Sequence, residues 1–281
     1  MHEGLNEFLQ ALERADTQIV SGQSVKGERH TLFIIDQQAV PDIQVQIYKS
    51  GEDGAPTQLY RGSQFEHLAD IGPLCFRAKA GSALQHLGEK LCQEHKGGIG
   101  LITTDYQAAV KHARDLLVVN DGSGGQSLIT YYKRDMWAAL ALTANDGLYG
   151  SWQSVFSPAP MHIGNKTGCW LNWMPNSEEG PRSNRYNMPA NTNAFHRNIR
   201  WVYWVDEHFE LFNKPETAQL PALIDNLELL VDHGIYEGRW IVRLAGLASR
   251  FDLSRQPAVM TILRSDARPF NKVDELEALT L

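Results

Sequence analysis

The sequence predicts an α/β fold: an N-terminal lobe with a mixed, largely parallel sheet flanked by helices, then a smaller C-terminal helical lobe. Three observations point there. Over residues 31–144, short apolar runs of strand length alternate with segments of helical period, the pattern of strands joined by covering helices. The runs are almost continuously apolar, as expected of strands buried on both faces. From Leu220 onward the apolar residues keep a 3.6-residue period.

The elements follow in order. Leu5, Phe8, Leu9 and Leu12 fall at i, i+3, i+4 and i+7, which predicts a short amphipathic helix. Residues 21–29 are polar and read as a linker. Residues 31–36 form a compact apolar run and read as a strand. Residues 40–48 fit either period: Ile43, Val45 and Ile47 alternate, while Val40, Ile43 and Ile47 share a helix face. Residues 51–56 are a turn cluster, and residues 58–60 fit a short strand. Ser63 can cap a short helix with Glu66 at the capping-box position, and Gly72-Pro73 ends it before a strand at residues 74–76. Leu84, Leu87 and Leu91 mark a helix over residues 82–95, stopped by Gly97-Gly98. A strand at 99–103 precedes a helix capped by Thr104 or Asp105 and carrying Ala109, Val110, Ala113, Leu116 and Leu117. A Gly-rich turn at 120–126 leads to a strand at 127–132 and a helix at 134–144. Residues 151–198 are punctuated by five prolines and rich in Asn, Gly and Ser. Residues 200–212 carry Trp201, Tyr203, Trp204 and Val205 and read as strand-like. Leu220, Leu223, Ile224, Leu227, Leu230 and Val231 predict a helix closed by Gly234. Trp240, Val242, Leu244, Leu247 and Phe251 suggest another, and residues 259–263 a third. The expected division is an α/β lobe over 1–150, a Trp/Pro-rich connecting segment with short strands over 151–212, and a helical lobe over 213–281.

Composition narrows the function. The formal charge of −7 argues against a binder of nucleic-acid backbones, which needs clustered Lys and Arg. The three cysteines are odd in number and show no C-x-x-C spacing, which favours a reducing compartment over a disulfide framework. The N-terminus lacks a basic stretch followed by an apolar one, and no apolar run approaches the ~20 residues of a membrane span, so the expected location is the cytoplasm.

A search for chemistry finds no motif. Gly122-Ser123-Gly124-Gly125 lacks nucleophile-elbow spacing and reads as a turn. Gly98-Ile99-Gly100 has Thr103 where a dinucleotide fingerprint needs its third glycine. No phosphate-binding Walker loop occurs. The ten histidines form no zinc pattern, and the neighbouring pairs Glu66-His67 and Glu94-His95 point in different directions on a helix. Cys92 reads as a small buried hydrophobe. The expectation is a protein that is not an enzyme and has no catalytic, cofactor-binding or metal-binding residues.

Six of the seven tryptophans lie between Trp137 and Trp204, so this quarter of the chain stands out. They read as a core joining two lobes, as a partner-binding surface, or as a carbohydrate-stacking platform. Arg182, Arg185, Arg197 and Arg200 make the same segment locally basic. The candidate partner-binding residues are therefore Trp170, Trp173, Arg182, Arg185, Arg197, Arg200 and Trp204, with Leu223, Leu227 and Leu230 from the helical lobe.

Several blocks carry a family resemblance. Leu32-Phe-Ile-Ile-Asp36 resembles an opening strand ending in Asp. Leu59-Tyr-Arg-Gly62 and Leu68-Ala-Asp-Ile-Gly-Pro-Leu74 resemble an "L-x-x-G … L-A-x-x-G-P-x-L" block. Gly98-Ile-Gly-Leu-Ile-Thr103 resembles the following strand, and Val110-Lys-His-Ala-Arg-Asp-Leu-Leu117 an "H-x-R" helix. Leu128-Ile-Thr-Tyr-Tyr132 stands where an "F-R-x-Y-D-P" strand is usual, with Thr130 in place of Arg and Lys133-Arg134 in place of Asp-Pro. Together these blocks are similar to the type VI secretion effector adaptor/chaperone family (Tap or Tec), whose domain is domain of unknown function 4123. The resemblance implies a non-catalytic adaptor of the cytoplasm. Its partners would be a cognate type VI effector and a valine-glycine-repeat (VgrG) spike protein, with no nucleic acid and no membrane insertion. Two alternatives stay open: a hydrolase-like enzyme with dispersed cleft residues, and a Trp-based carbohydrate-binding module. His112 and Arg114, two apart on their helix, read as structural.

Overall fold

The computed structural model describes residues 2–19, 28–175, 185–250 and 252–279. The strands are β1 (His30–Asp36), β2 (Thr57–Gln58), β3 (Pro73–Ala78), β4 (Gly98–Thr103), β5 (Val118–Asn120), β6 (Gln126–Leu128), β7 (Ser154–Pro158) and β8 (Trp170–Trp173). Six of them form one sheet in the order β2-β3-β1-β4-β7-β8, while β5 and β6 form a separate ribbon.

Every pairing in the main sheet is antiparallel, which corrects the largely parallel sheet read from the alternation of strands and helices. The reason lies in strand order. The helix α3 (Ala83–Gln93) joins β3 to β4, and these two strands do run parallel, as a helical crossover requires. They are not neighbours, however. β1 lies between them, antiparallel to both, so the crossover skips one strand.

The sheet is buried on both faces. Leu32, Ile34, Cys75, Ile99, Leu101 and Val155 point into one apolar cluster, and Phe33, Ile35, Leu74, Phe76, Ile102 and Phe156 into another. The second is covered by α2 (Ile43–Lys49) and α3. α2 resolves the ambiguity of residues 40–48 in favour of helix: Val40, Ile43 and Ile47 are buried, while Val45 is 50% exposed. Two glycines allow this face to close. A Cβ at Gly88 of α3 would sit 2.3 Å from the Phe33 ring, and one at Gly100 of β4 would sit 2.0 Å from the Phe156 ring. The register places Phe33 and Phe156 on either side of Gly100, and their rings meet edge-on at 5.8 Å across it.

The first face packs against α1 (Leu5–Glu13), α4 (Tyr106–Asp115), α5 (Arg134–Leu142) and α6 (Thr192–Glu207). An aromatic group of Tyr131, Trp137, Tyr149 and Trp152 fills its centre. Here the sequence reading needs two corrections. Residues 200–212 are not a strand, because residues 192–207 form α6. Phe195, Ile199, Val202 and Asp206 recur at helical spacing on its buried side, and this packing overrides the β preference of Trp201, Tyr203, Trp204 and Val205. Of residues 127–132, only the first two are strand, in β6. Tyr131 turns inward instead and donates its hydroxyl to the Ala113 carbonyl of α4 at 2.7 Å.

The C-terminal helices are α7 (Leu220–Asp232), α8 (Gly238–Arg243), α9 (Ala245–Ala248), α10 (Pro257–Leu263) and α11 (Pro269–Ala278). Their apolar residues continue the same cluster that α1 and α4 to α6 build. Lys272 of α11 is buried and donates Nζ to the Leu263 carbonyl at 2.7 Å and the His233 carbonyl at 3.4 Å. One cation thus satisfies the C-terminal carbonyls of α10 and α7.

Candidate functional site

A cleft of about 550 Å³ opens beside the outer face of α4. Three other segments complete its walls: residues 63–65, the turn around Gly147, Gly150 and Ser151, and the pair Arg185 and Tyr186.

Each wall has a local cause. Gly62 takes a φ of +74°, and Ser63 Oγ then donates to the Tyr60 carbonyl at 2.7 Å and accepts from the Phe65 amide at 3.1 Å. Glu66 closes the turn by accepting from the Gly62 amide. Phe65 emerges half-buried, its ring 5.5 Å from that of Tyr60. The Asp105 carboxylate caps α4 by accepting from the Ala108 amide at 3.0 Å. Trp152 Nε1 and the Tyr131 hydroxyl anchor the inner side of α4 by donating to the carbonyls of Ala109 and Ala113. Thr103 Oγ1 donates to the Ser151 carbonyl at 3.0 Å and ties the end of β4 to the last wall.

His112 serves this construction. Its Nε2 lies 2.8 Å from the Leu148 carbonyl, which can only accept, so Nε2 carries the proton. Its ring stands edge-on to Trp152 at 4.8 Å, and a Cβ at Gly150, whose φ is +54°, would fall 2.6 Å from the imidazole. The imidazole thus holds the 147–151 turn in place.

The charges in the cleft are uneven. Lys111 is paired with Asp115 at 2.6 Å. Arg114 and Arg185 are exposed, and neither makes an ion pair among the described residues. The cleft therefore carries about two uncompensated positive charges in a chain whose net charge is −7. Phe65 is its partly exposed apolar side chain, while Leu116, Leu117 and Val118 border it but are buried. Ser151 also borders the cleft, but its Oγ is buried and has no hydrogen-bond partner among the described residues. Such an arrangement can hold a carboxylate by guanidinium hydrogen bonds and an apolar side chain by contact. Among the described residues, no group of three or more His, Cys, Asp or Glu could hold a metal ion. A second cavity, of about 460 Å³, lies by the β5–β6 ribbon. Asp121, its one ionisable lining residue, is held by hydrogen bonds from Ser123 and Ser127, which bring its carboxyl down to about 2.

Residues 33–147 match the family model described as a domain of unknown function (DUF4123). No curated protein and no solved structure matches the chain. The matched region begins in β1 and runs past α5. It includes the 63–65 wall and all of α4, and it ends at Gly147, short of Ser151 and Arg185.

The ten candidate residues read from the sequence do not form one surface. Arg185 lines the cleft, and Arg182 lies outside the described residues. Arg197 and Arg200 are exposed on α6, with Arg197 3.8 Å from Glu228 of α7. Trp170, Trp173, Leu223, Leu227 and Leu230 are all core residues, so a surface role for them is corrected here. Trp204 is half-buried against Trp201, His208 and Phe212. A stacking platform is overturned by the same facts: Trp170, Trp173 and Trp201 are buried, and Trp201 and Trp204 stand at 85° to each other. Phe65, Lys111, Arg114 and Ser151 were not singled out as binding residues. For Lys111 and Arg114 the available signal was the block around His112; Phe65 and Ser151 lie outside the resembling blocks.

No helix among the described residues is long and apolar enough to cross a membrane.

Proposed function

We propose that this chain is a non-catalytic adaptor that holds a cognate type VI secretion effector in the cytoplasm and presents it to a valine-glycine-repeat spike protein. One observation carries the reading. The 63–65 turn, set between the resembling segments 59–62 and 68–74, and the resembling block over residues 110–117 are remote in sequence and line one cleft. Blocks that served only to fold the lobe have no need to border the same concave surface.

The test is co-expression with the effector and the spike protein that this reading expects to be encoded beside this gene. A stable complex should survive purification, with an interface of roughly 1,200–2,000 Å² or more. An effector that is stable alone and forms no complex at micromolar concentrations would remove the adaptor reading.

A further inference from the structure

We infer that the cleft takes an acidic peptide segment of the partner that also carries an apolar side chain. The inference rests on the adaptor reading and adds the chemistry of the segment recognised. Arg114 and Arg185 come from distant parts of the chain and line the same cleft without carboxylate partners among the described residues. Two exposed guanidinium groups in one cleft of an acidic protein favour an anionic ligand, and the planar fork of each fits a carboxylate in two-point contact. Phe65, half-buried on the 63–65 wall, supplies an apolar surface in the same cleft that a hydrophobic side chain can contact. A nucleic acid fits less well. Two uncompensated cations provide little counterion release, and the rest of the chain repels a polyanion.

The test uses the full chain and fluorescein-labelled peptides of repeating Glu-Glu-Leu, Gln-Gln-Leu and Lys-Lys-Leu, with an oligothymidylate as the nucleic-acid arm, all read by fluorescence anisotropy. The Glu-Glu-Leu peptide should bind at least about tenfold more tightly than the other three probes, and its affinity should fall with added salt. The double variant Arg114→Glu, Arg185→Glu should lose that preference, and Arg114→Gln, Arg185→Gln should weaken binding without reversing it. Both positions are exposed, so an unchanged thermal melt will certify folding. Equal binding of the neutral peptide or the oligonucleotide, no binding of the acidic peptide, or no effect of charge reversal would each overturn the inference. Effector co-purification separates this claim from the adaptor reading. If the wild-type and charge-reversed chains hold the effector equally, the acidic-segment inference fails and the adaptor stands. If the wild-type chain holds no effector, the adaptor reading fails.

Discussion

Replacing Asp206 by alanine should destabilise the protein by about 3–4 kcal/mol, through one loop. The Asp206 side chain is buried on α6 and accepts three backbone hydrogen bonds from the loop between β7 and β8. Oδ2 takes the Met161 amide at 2.8 Å, and Oδ1 takes those of His162 and Ile163 at 2.7 and 2.9 Å. Removing the carboxylate orphans all three donors, each costing about 1–3 kcal/mol if it stays buried. Met161 and His162 are exposed and water can replace part of their loss, whereas Ile163 is buried and bears the full cost. Asp206→Asn is the sharper comparison. An amide oxygen at the Oδ1 position keeps two of the bonds and turns its NH₂ toward the Met161 amide, the more exposed one, so the loss should be about 1–2 kcal/mol. Urea unfolding gives both values directly. For a chain of this size the alanine variant should also melt lower by about 6–8 °C, at roughly 2 °C per kcal/mol. An alanine variant within about 0.5 kcal/mol of wild type, or equal losses for the two variants, would refute the reasoning.

Three further outcomes are expected. Leu227→Ala should cost about 2–5 kcal/mol, because the side chain is wholly buried in α7, and Leu227→Asp should abolish the helical circular dichroism of this region; a folded Asp variant would show that the site is not core. The Asp135 carboxyl is desolvated, which raises its pKa, but the hydrogen bond and charge of His196 at 3.2 Å outweigh this and hold it below 3.8. Its folded-state value is therefore depressed, and the stabilisation is complete above about pH 4 and lost as pH falls through the folded value. Urea midpoints against pH should show a gap between wild type and Asp135→Asn at neutral pH that closes in acid; a gap independent of pH would contradict this. Thiol titration of the native protein should label Cys169 alone: Cys75 and Cys92 are fully buried, and burial pushes the Cys75 thiol up to about 12. Rapid native labelling of more than one thiol would contradict the packing.

Most single elements were legible in the sequence because their signals are local. The cap at Asp105 and the apolar period of α3, α4 and α7 each depend on residues a few positions apart. The Gly-rich 120–126 segment is the β5–β6 turn for the same reason. The strand reading of residues 200–212 failed because propensity is a weak prior against packing. Trp201, Tyr203 and Val205 enter a helix whose neighbours α1, α5 and α7 bury one side of it. α11 went unread, since its buried residues are only Lys272, Val273 and Leu276, and the role of Lys272 exists only where α7 and α10 end.

The candidate site divides along the same line. His112 and Arg114 stand out in sequence, but their two-residue spacing on a helix suggested divergent directions. In the fold the 63–65 turn and the 147–151 turn come to either side of α4, so both residues line one cleft. By itself the sequence determined the class of the fold, the position of most helices, and the family resemblance of residues 32–132. Those properties arise from local periodicity, capping and composition. Only the tertiary structure decided that β1 lies between β3 and β4 and makes the sheet antiparallel, that the tryptophans are mostly core, and that Arg114 and Arg185 share a cleft. Strand order, burial and convergence depend on contacts between residues far apart in the chain, and no local pattern encodes them.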